Sequence, residues 1–320
     1  MNENSTASTL RRHEKYDRLI AAAKGKQAVA TAVAHPCDET SLRGAVEAGE
    51  AGLIKPILVG PKDKIAAAAK QYSLNLGNIE IVDVPDSQAA AEKAVELVRT
   101  GKADLLMKGS LHTDELLSEV MKRETGLRTG RRVSHVFVMD VPGHAQTLFI
   151  TDAAVNIAPD LISKRDIIQN AIDLYAGLGL GIPKVAILSA VETVTSTIPS
   201  TIEAAALCKM ADRGQITGGE LDGPLAFDNA ISPEAARIKG IKSPVAGQAQ
   251  ILVVPDLEAG NMLAKNLTFL SHADAAGIVL GARVPIILTS RADHVRTRMA
   301  SCAVAALLRH SQMAKQPIRA

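Results

Sequence analysis

The stretch "DLLMKGSLHTDELL" (residues 104–117) places a short apolar strand directly before a helix. Residues 105–107 are apolar, and Thr113 opens the helix with Asp114 and Glu115 in its first turn. A capping hydroxyl followed by early carboxylates is an ordinary signal of a helix start. A strand that leads within a few residues into a helix is the unit from which parallel sheets with covered faces are built.

Short apolar runs alternate with longer, alanine-rich segments over most of the chain. The runs are too short and too rich in β-branched residues for helices, so they are predicted to be strands. The predicted strands are residues 28–34, 56–60, 79–84, 103–109, 134–141, 147–153, 184–191, 251–256 and 284–290. Helices are predicted at residues 86–101, 198–215 and 293–310. The pattern therefore predicts the α/β class, with helices around a parallel sheet.

The composition argues against several classes of partner. The chain has 320 residues, 47% of them hydrophobic and 22% charged, which is typical of a globular protein long enough for two domains. Its net charge is only +2 and aromatic residues make up 2%, so we expect no nucleic-acid surface. No run of about eighteen apolar residues occurs, so we expect no membrane association. A small molecule is the expected partner.

Metal and cofactor signatures are absent from the sequence. Cys37, Cys208 and Cys302 are far apart, which argues against disulfides and a zinc site and favours a reducing cytoplasm. The eight histidines show no metal-binding spacing. "GLGLG" (177–181) lacks the order of a dinucleotide-binding loop and follows a helical segment. We therefore expect neither a bound metal nor a prosthetic group.

The stretch "VPIILTSRAD" (284–293) ends an apolar strand with Ser290, Arg291 and Asp293 close together. Ser290 and Asp293 fit a helix cap in which each side chain accepts a backbone amide. Capping leaves Arg291 unexplained, because a cation in the first turn faces the positive end of the helix dipole. An anion bound at the strand exit would explain it, and ligands of α/β sheets usually bind there. We therefore prefer a ligand site to a simple cap.

Other predicted strand exits carry polar side chains that could face the same cleft. Lys108 and Gly109 could present a charge and a close backbone amide to phosphate, although a surface lysine is equally compatible. Each remaining exit is compatible with an ordinary loop, but together they suggest a substrate-binding cleft. Asp152, Glu258 and Asn261 lie at these exits, and Asp222 and Asp228 flank the short apolar run 224–227.

Seven segments, in order along the chain, together resemble one enzyme family. They are "LLMKGSLHT", "RRVSHVFVMDVP", "FITDAAVNIAPDL", "SAVETV", "ELDGPLAFDNAIS", "VPDLEAGNMLAKNL" and "VPIILTSRAD". They resemble the phosphate acetyltransferase and phosphate butyryltransferase family from about residue 25 to residue 310. The resemblance implies an enzyme that converts acyl-CoA and phosphate into acyl phosphate and CoA, with CoA as substrate rather than as a bound cofactor.

The resemblance also implies an architecture. Family members are usually homodimers, and their two α/β domains resemble those of isocitrate and isopropylmalate dehydrogenases, with the active site in the cleft between them. Here the first domain would combine residues 1–140 and 281–320, and the second would be residues 141–280. Arginines of the first domain bind substrate in the family. Arg131 is assigned to that role here, with Arg128 and Arg132 as further candidates.

In the family, the Ser-Arg pair of "SRAD" belongs to the active site, and this pair matches Ser290 and Arg291. Arg291 would hold phosphate or the CoA thiolate, and Ser290 would donate to the acyl or phosphate oxygens. Acetyltransferase members use an aspartate several residues further on, where this chain has Thr297. Asp293 is the nearest carboxylate and is assigned as the base. The "SRAD" form resembles butyryl-type members, so acetyl and butyryl substrates both remain open.

Three other functions remain open from the sequence. A metal- and NAD-dependent decarboxylating dehydrogenase of the same fold would use Asp152, Asp222 and Asp228 as metal ligands. Covalent acyl transfer would proceed through one of the cysteines. A non-catalytic protein could bind CoA or acyl phosphate without turnover.

Overall fold

One sheet of eleven strands forms the centre of the computed structural model, which describes residues 14–289 and 294–315. The strands are β1 (Val29–Ala34), β2 (Ile54–Gly60), β3 (Glu80–Asp83), β4 (Leu105–Lys108), β5 (Ser134–Asp140), β6 (Leu148–Thr151), β7 (Lys184–Leu188), β8 (Glu220–Leu225), β9 (Ile251–Val253), β10 (Asp274–Leu280) and β11 (Ile286–Ile287). Their order across the sheet is β3-β2-β1-β4-β11-β10-β5-β6-β9-β7-β8. Most are apolar on both faces, as strands covered by helices should be.

Helices cover both faces of this sheet. They are α1 (Glu14–Lys24), α2 (Glu39–Glu50), α3 (Lys62–Gln71), α4 (Ser87–Arg99), α5 (Thr113–Val120), α6 (Leu161–Gly177), α7 (Pro199–Asp212), α8 (Phe227–Ile231), α9 (Pro233–Ile238), α10 (Leu257–Leu270) and α11 (Val295–Lys315). Asp38, Asp86, Asp160 and Asp256 cap α2, α4, α6 and α10, each by accepting a backbone amide. These aspartates satisfy amides that the helix itself leaves unpaired.

Two parallel sets of strands meet at an antiparallel centre. The first set is β3, β2, β1, β4 and β11, and the second is β6, β9, β7 and β8. β10 and β5 lie between the sets, and each is antiparallel to both of its neighbours. The carboxyl ends of the two sets therefore lie at opposite edges of the sheet.

The apolar core is continuous on one face and divided on the other. On one face, a single cluster packs beneath α1, α2, α3, α6, α7 and α11. On the other, one cluster packs against α4 and α5 over the first set, and a second packs against α8, α9 and α10 over the second set. We call this second face the cleft face. Its two clusters separate over the central strands β10 and β5.

The predicted α/β class is confirmed, and each predicted strand segment contains a strand. Two strands were not predicted. β8 contains Gly223-Pro224, a pair typical of a turn, and β10 begins with a run of small residues, Asp274–Gly277. The segment 255–267, interpreted as a polar strand exit, is mostly α10. No helix within residues 14–289 or 294–315 is long and apolar enough to cross a membrane.

Candidate active site

One row of residues crosses the cleft face at the centre of the sheet. Lys108 ends β4, and the register of β4 with β11 places it beside Leu288. The Leu288 amide donates to the Gly277 carbonyl on β10 at 3.3 Å, and Gly277 pairs with Phe137 on β5. One residue, Thr289, separates Leu288 from the "SRAD" residues in the chain.

Lys108 is a buried cation at the end of β4, only 9% exposed. Its Nζ donates to the Gly109 carbonyl at 3.2 Å. Gly109 is required by the packing of the strands, because a side chain there would come within 2.2 Å of the Ala34 carbonyl on β1. Gly109 also donates its amide to that carbonyl at 2.9 Å. The close packing of the strands therefore explains the glycine at position 109 without reference to phosphate binding.

The carboxyl ends of β1 and β4 form a topological switch point. From β1 the chain continues to β2 on one side, and it later returns to β4 on the other side. Ligands of open α/β sheets bind at such points. His35 follows β1 with a φ of 52°, and its carbonyl accepts the Ser110 amide at 2.9 Å and the Ser110 hydroxyl at 2.7 Å. Lys108 and Gly109 thus lie where a ligand is expected.

His135 lies on β5 and points to the cleft face, because Val136 and Val138 belong to the core of the other face. The imidazole is 1% exposed, and its Nδ1 has no hydrogen-bond partner among the described residues. The ring packs edge-on against Phe137, with the centroids 4.4 Å apart. Burial lowers the pKa of His135 to about 4, against an opposing effect of Asp152. The ring is therefore neutral at physiological pH.

Asp152 organises the turn that follows β6. Its carboxylate accepts the amides of Ala154 at 3.0 Å, Val155 at 3.1 Å and Asn156 at 3.2 Å, and the Asn156 side chain at 2.5 Å. Arg132 in turn donates from Nε to Asn156 Oδ1 at 2.8 Å. Because these donors occupy its oxygens, Asp152 acts mainly by holding Asn156 and Arg132 in place.

The structure brings only some of the predicted substrate-binding residues together. Asn261 reaches the Asp152 turn, since its Nδ2 donates to the Ala153 carbonyl at 3.3 Å. Asp222 lies on β8, three strand spacings or roughly 14 Å from β6. Asp228 and Glu258 are exposed in the first turns of α8 and α10. Asp152, Glu258 and Asn261 follow strands of the second set, so these exits lie at the opposite edge of the sheet from Lys108.

The side chains of Arg131 and Arg132 have different partners. Arg131 forms an ion pair with Asp173 and lines a cavity of about 320 Å³ together with Leu308 and Gln312. Leu308 belongs to the continuous core, whereas Val284, which also lines this cavity, belongs to the cluster under α4 and α5. Of the two adjacent arginines, Arg132 rather than Arg131 is the one beside the Asp152 turn.

The predicted catalytic residues Ser290, Arg291 and Asp293 lie outside the described residues. Thr289, which precedes them, is buried. Thr297, at the place of the aspartate in the acetyltransferases, is buried in α11, and its carbonyl accepts the Ser301 hydroxyl at 2.9 Å. A threonine offers no carboxylate, so Thr297 cannot take the part of that aspartate.

Comparison with known proteins supplies the family. The model of the phosphate acetyl/butaryl transferase family matches residues 87–306. A phosphate acetyltransferase from Rhizobium meliloti is 74% identical over 302 residues, which cover 94% of this chain and 96% of that protein. The chain belongs to the phosphate acetyl/butyryl transferase family. A phosphate butyryltransferase from Clostridium beijerinckii is also similar, at 44% identity over 92% of this chain and 98% of that protein.

Solved structures agree with this transferase family. A branched-chain phosphotransacylase from Enterococcus faecalis V583 matches with a TM-score of 0.77 and 32% identity, over 88% of this chain and 99% of that one. A 4-hydroxythreonine-4-phosphate dehydrogenase from Burkholderia phymatum matches with a TM-score of 0.52 and 14% identity, over 88% and 98% of the two chains. The second likeness concerns the fold alone and agrees with the predicted dehydrogenase-like architecture.

A dehydrogenase-type metal site is not formed by the aspartates proposed for it. Asp152, Asp222 and Asp228 are all described, and no three His, Cys, Asp or Glu side chains in the described ranges are grouped to hold a metal ion. Asp152 is instead saturated by amide donors. The transferase family and the side-chain arrangement therefore agree in disfavouring this alternative.

The sequence pattern did not single out His135 or Gly277, and it favoured Arg131 over Arg132. The alternation in "SHVFV" (134–138) was a usable signal, because it puts His135 and Phe137 on one face and two valines on the other. No comparable signal marks Gly277, whose neighbours in space come from two other strands. Only the sheet order reveals that this transferase chain brings His135 close to the end of β11.

Proposed function

We propose that this chain is a phosphate acyltransferase that interconverts a short-chain acyl-CoA and inorganic phosphate with the acyl phosphate and free CoA. The observation that carries the proposal is the 74% identity to a phosphate acetyltransferase over 94% of the chain. The geometry supports it, because Lys108 lies beside the strand that leads into Ser290 and Arg291.

The acyl transfer requires three protein side chains. In the direction of CoA acylation, a thiol with an ordinary pKa near 8.5 must lose its proton and attack the acyl carbonyl, and phosphate must leave. In the proposal, Arg291 stabilises the phosphate or the thiolate, Ser290 donates to the acyl or phosphate oxygens, and Asp293 accepts the thiol proton. The attack is direct, within a ternary complex of enzyme and both substrates.

Buried Lys108 supplies a second positive charge for phosphate at the switch point. Burial strengthens its attraction for an anion, because water screens the charge less. The Asp152 turn, which Asn261 also contacts, contributes by holding Asn156 and Arg132.

We place the remaining predicted substrate-binding residues away from the reacting atoms. Asp222, Asp228 and Glu258 carry negative charge and would repel phosphates, so they suit the amide and hydroxyl groups of CoA. Arg131, paired with Asp173, is assigned no direct contact with the reacting atoms.

The wider setting is part of the proposal. CoA acts as substrate, no prosthetic group takes part, and the protein works in the cytoplasm as a homodimer of two-domain subunits, with residues 1–140 and 281–320 in the first domain and 141–280 in the second. The boundaries at 140 and 280 coincide with the ends of β5 and β10. Similarity to both acetyl- and butyryltransferases supports short acyl chains without selecting one.

Release of free thiol from acetyl-, propionyl- and butyryl-CoA tests the proposal, with phosphate or arsenate as acceptor. We expect release with both acceptors, and a loss of about 100-fold or more in kcat for Arg291→Ala, because a charge on the leaving phosphate is left unpaired. Arg296→Ala is the matched control, since that arginine pairs at the surface with Asp17. If no thiol is released from any of the three substrates, the proposed function is contradicted. If Arg291→Ala turns over at the normal rate, the role assigned to Arg291 is contradicted.

A further inference from the structure

We propose that the cavity beside Arg131 binds a small zwitterion with an aliphatic chain, which is the chemistry of an aliphatic α-amino acid. The cavity has a volume of about 320 Å³, at the lower end of the range for small-molecule sites. It is lined by residues of α6, of α11 and of the loop 281–285, which joins β10 to β11. The inference goes beyond the proposed acyl transfer and does not depend on it.

The cavity lies towards the other end of the strands from Lys108. Leu280, which lines it, is the last residue of β10, and Pro285, which also lines it, comes directly before β11. β11 runs parallel to β4, and Lys108 is the last residue of β4. Pro285 precedes Leu288, the neighbour of Lys108, by three residues or roughly 10 Å of extended chain. The cavity is therefore separate from the switch point.

Gln312 on α11 is the first polar group that calls for a ligand. It lines the cavity, and its Oε1 is buried with no hydrogen-bond partner among the described residues. Buried amide oxygens are normally hydrogen-bonded, because an unpaired one is costly. The last torsion of a glutamine is broad, so the amide can turn its oxygen to a ligand without movement of α11. An ammonium group is the strongest donor that a ligand could bring to it.

Two opposite charges lie where the cavity meets solvent. Arg131 forms an ion pair with Asp173, and the other carboxylate oxygen of Asp173 accepts the Gln169 side-chain N–H at 3.0 Å. The two charged side chains are 44% and 50% exposed, so their mutual attraction is weak and either can exchange its partner for a ligand group. Arg131 suits a carboxylate, to which a guanidinium can donate two parallel hydrogen bonds, and Asp173 suits an ammonium group.

The inner wall of the cavity is apolar. Leu280, Val284 and Leu308 line it, and each is at most 5% exposed. Leu280 and Leu308 belong to the continuous core, and Val284 belongs to the cluster under α4 and α5. An aliphatic chain placed against these side chains leaves water, which is favourable. A ligand with both charges and an aliphatic chain therefore matches every part of the lining, whereas a simple anion would lie unpaired beside Asp173.

The backbone around the cavity is held by its own contacts. Thr129 donates its hydroxyl to the Gly281 carbonyl at 2.5 Å, and the same hydroxyl oxygen accepts the Arg131 amide at 3.1 Å. Gly281 has a φ of 88°, and a side chain there would come within 2.3 Å of the Arg132 carbonyl. The wall therefore needs little rearrangement to receive a ligand, which limits the entropic cost of binding.

Isothermal titration calorimetry of the wild-type protein tests the inference with three probes. L-Leucine carries both charges and an aliphatic chain, isocaproate lacks only the ammonium group, and isoamylamine lacks only the carboxylate. We expect leucine to bind with a Kd in the millimolar range or below, and each analogue to bind at least about tenfold more weakly, because one charged hydrogen bond is lost. No binding of leucine, or an analogue that binds as tightly as leucine, would overturn the inference.

A variant of Gln312 tests whether the binding occurs in this cavity. Gln312→Leu keeps a similar volume without the amide, and it should weaken leucine binding by about tenfold or more. Because it also removes an unpaired buried oxygen, its Tm should equal or exceed that of wild type. Gln71→Leu, at an exposed position on α3, is the control and should bind leucine as wild type does. Unchanged affinity in Gln312→Leu contradicts the inference.

The proposed function is tested separately. Thiol release is measured on protein without leucine, and leucine binding is measured without CoA or phosphate. A protein that binds leucine in this cavity but releases no thiol contradicts the proposed function and supports the inference. A protein that releases thiol but does not bind leucine has the opposite meaning.

Discussion

Burial decides which side chains of this protein can act as nucleophiles. It raises the pKa of the Cys37 thiol to about 11, and the pKa values of Cys208 and Cys302 to about 12. For Cys208, the negative charge of Asp222 adds to the effect. A thiol with so high a pKa is protonated near neutral pH and reacts poorly. The covalent route through an enzyme cysteine, one of the alternatives open from sequence, is thereby disfavoured, and the thiolate of CoA is left as the nucleophile.

Replacing all three cysteines with alanine should therefore leave kcat within about twofold of wild type, because none of them forms a bond to the acyl group. Alkylation of Cys37 by iodoacetamide at pH 8 should be about 100-fold slower than that of a free thiol, since burial raises the pKa of Cys37 to about 11 and leaves little of it as thiolate. Rates are followed by mass spectrometry, and activity by thiol release. Rapid inactivation that tracks alkylation of one cysteine would restore the covalent route.

At the scale of elements, one buried ion pair attaches α1 to the sheet. Asp140, at the end of β5, accepts the backbone amides of Lys15 and Tyr16 at 3.1 Å each and the Lys15 ammonium at 2.7 Å. Tyr16 also donates its hydroxyl to the Val138 carbonyl at 2.5 Å. A carboxylate at the start of a helix interacts favourably with the helix dipole. The contact fixes α1 over the strand that carries His135.

Asp140→Ala should lower the free energy of unfolding by about 3–5 kcal/mol, because it leaves the Lys15 charge buried without an opposite charge, with only the Val141 carbonyl as partner. Asp17→Ala is the matched control on the same helix. Its exposed pair with Arg296 should contribute less than about 1 kcal/mol. Urea denaturation of the two variants gives the comparison, and equal losses would show that the buried pair has no special role.

At the scale of the whole molecule, α10 leaves an apolar surface uncovered. Met262, Phe269 and Leu270 are each more than half exposed, Phe269 at 71%, and their spacing of seven and eight residues places them on one side of the helix. Exposed apolar patches of this kind mark contact surfaces. A second copy of the chain is the partner that the proposed homodimer supplies, through a self-complementary contact.

Light scattering after gel filtration should give about twice the 33.6 kDa of one chain for wild type, and close to one chain for Phe269→Asp, because burying the new carboxylate would be costly. Ile182→Asp is the control, since Ile182 is equally exposed but lies in the loop before β7. A Phe269→Asp protein that remains dimeric would place the interface elsewhere.

The sequence by itself determined the fold class, most strands, and a set of polar strand exits. Apolar periodicity and helix caps are local, so they can be read one segment at a time. The same locality limits what the pattern can distinguish: Glu258 and Lys108 look equivalent because each lies at the end of a predicted strand. Only the antiparallel strands β10 and β5 place those strand ends at opposite edges of the sheet.

The tertiary structure also decided which residues meet at the centre. Gly277 and His135 lie far apart in the chain and become neighbours through the pairing of β10 with β5. Arg131 and Arg132 are adjacent in sequence, yet one pairs with Asp173 and the other with Asn156. Side-chain direction and strand order are set by long-range packing, which a pattern of neighbouring residues does not contain.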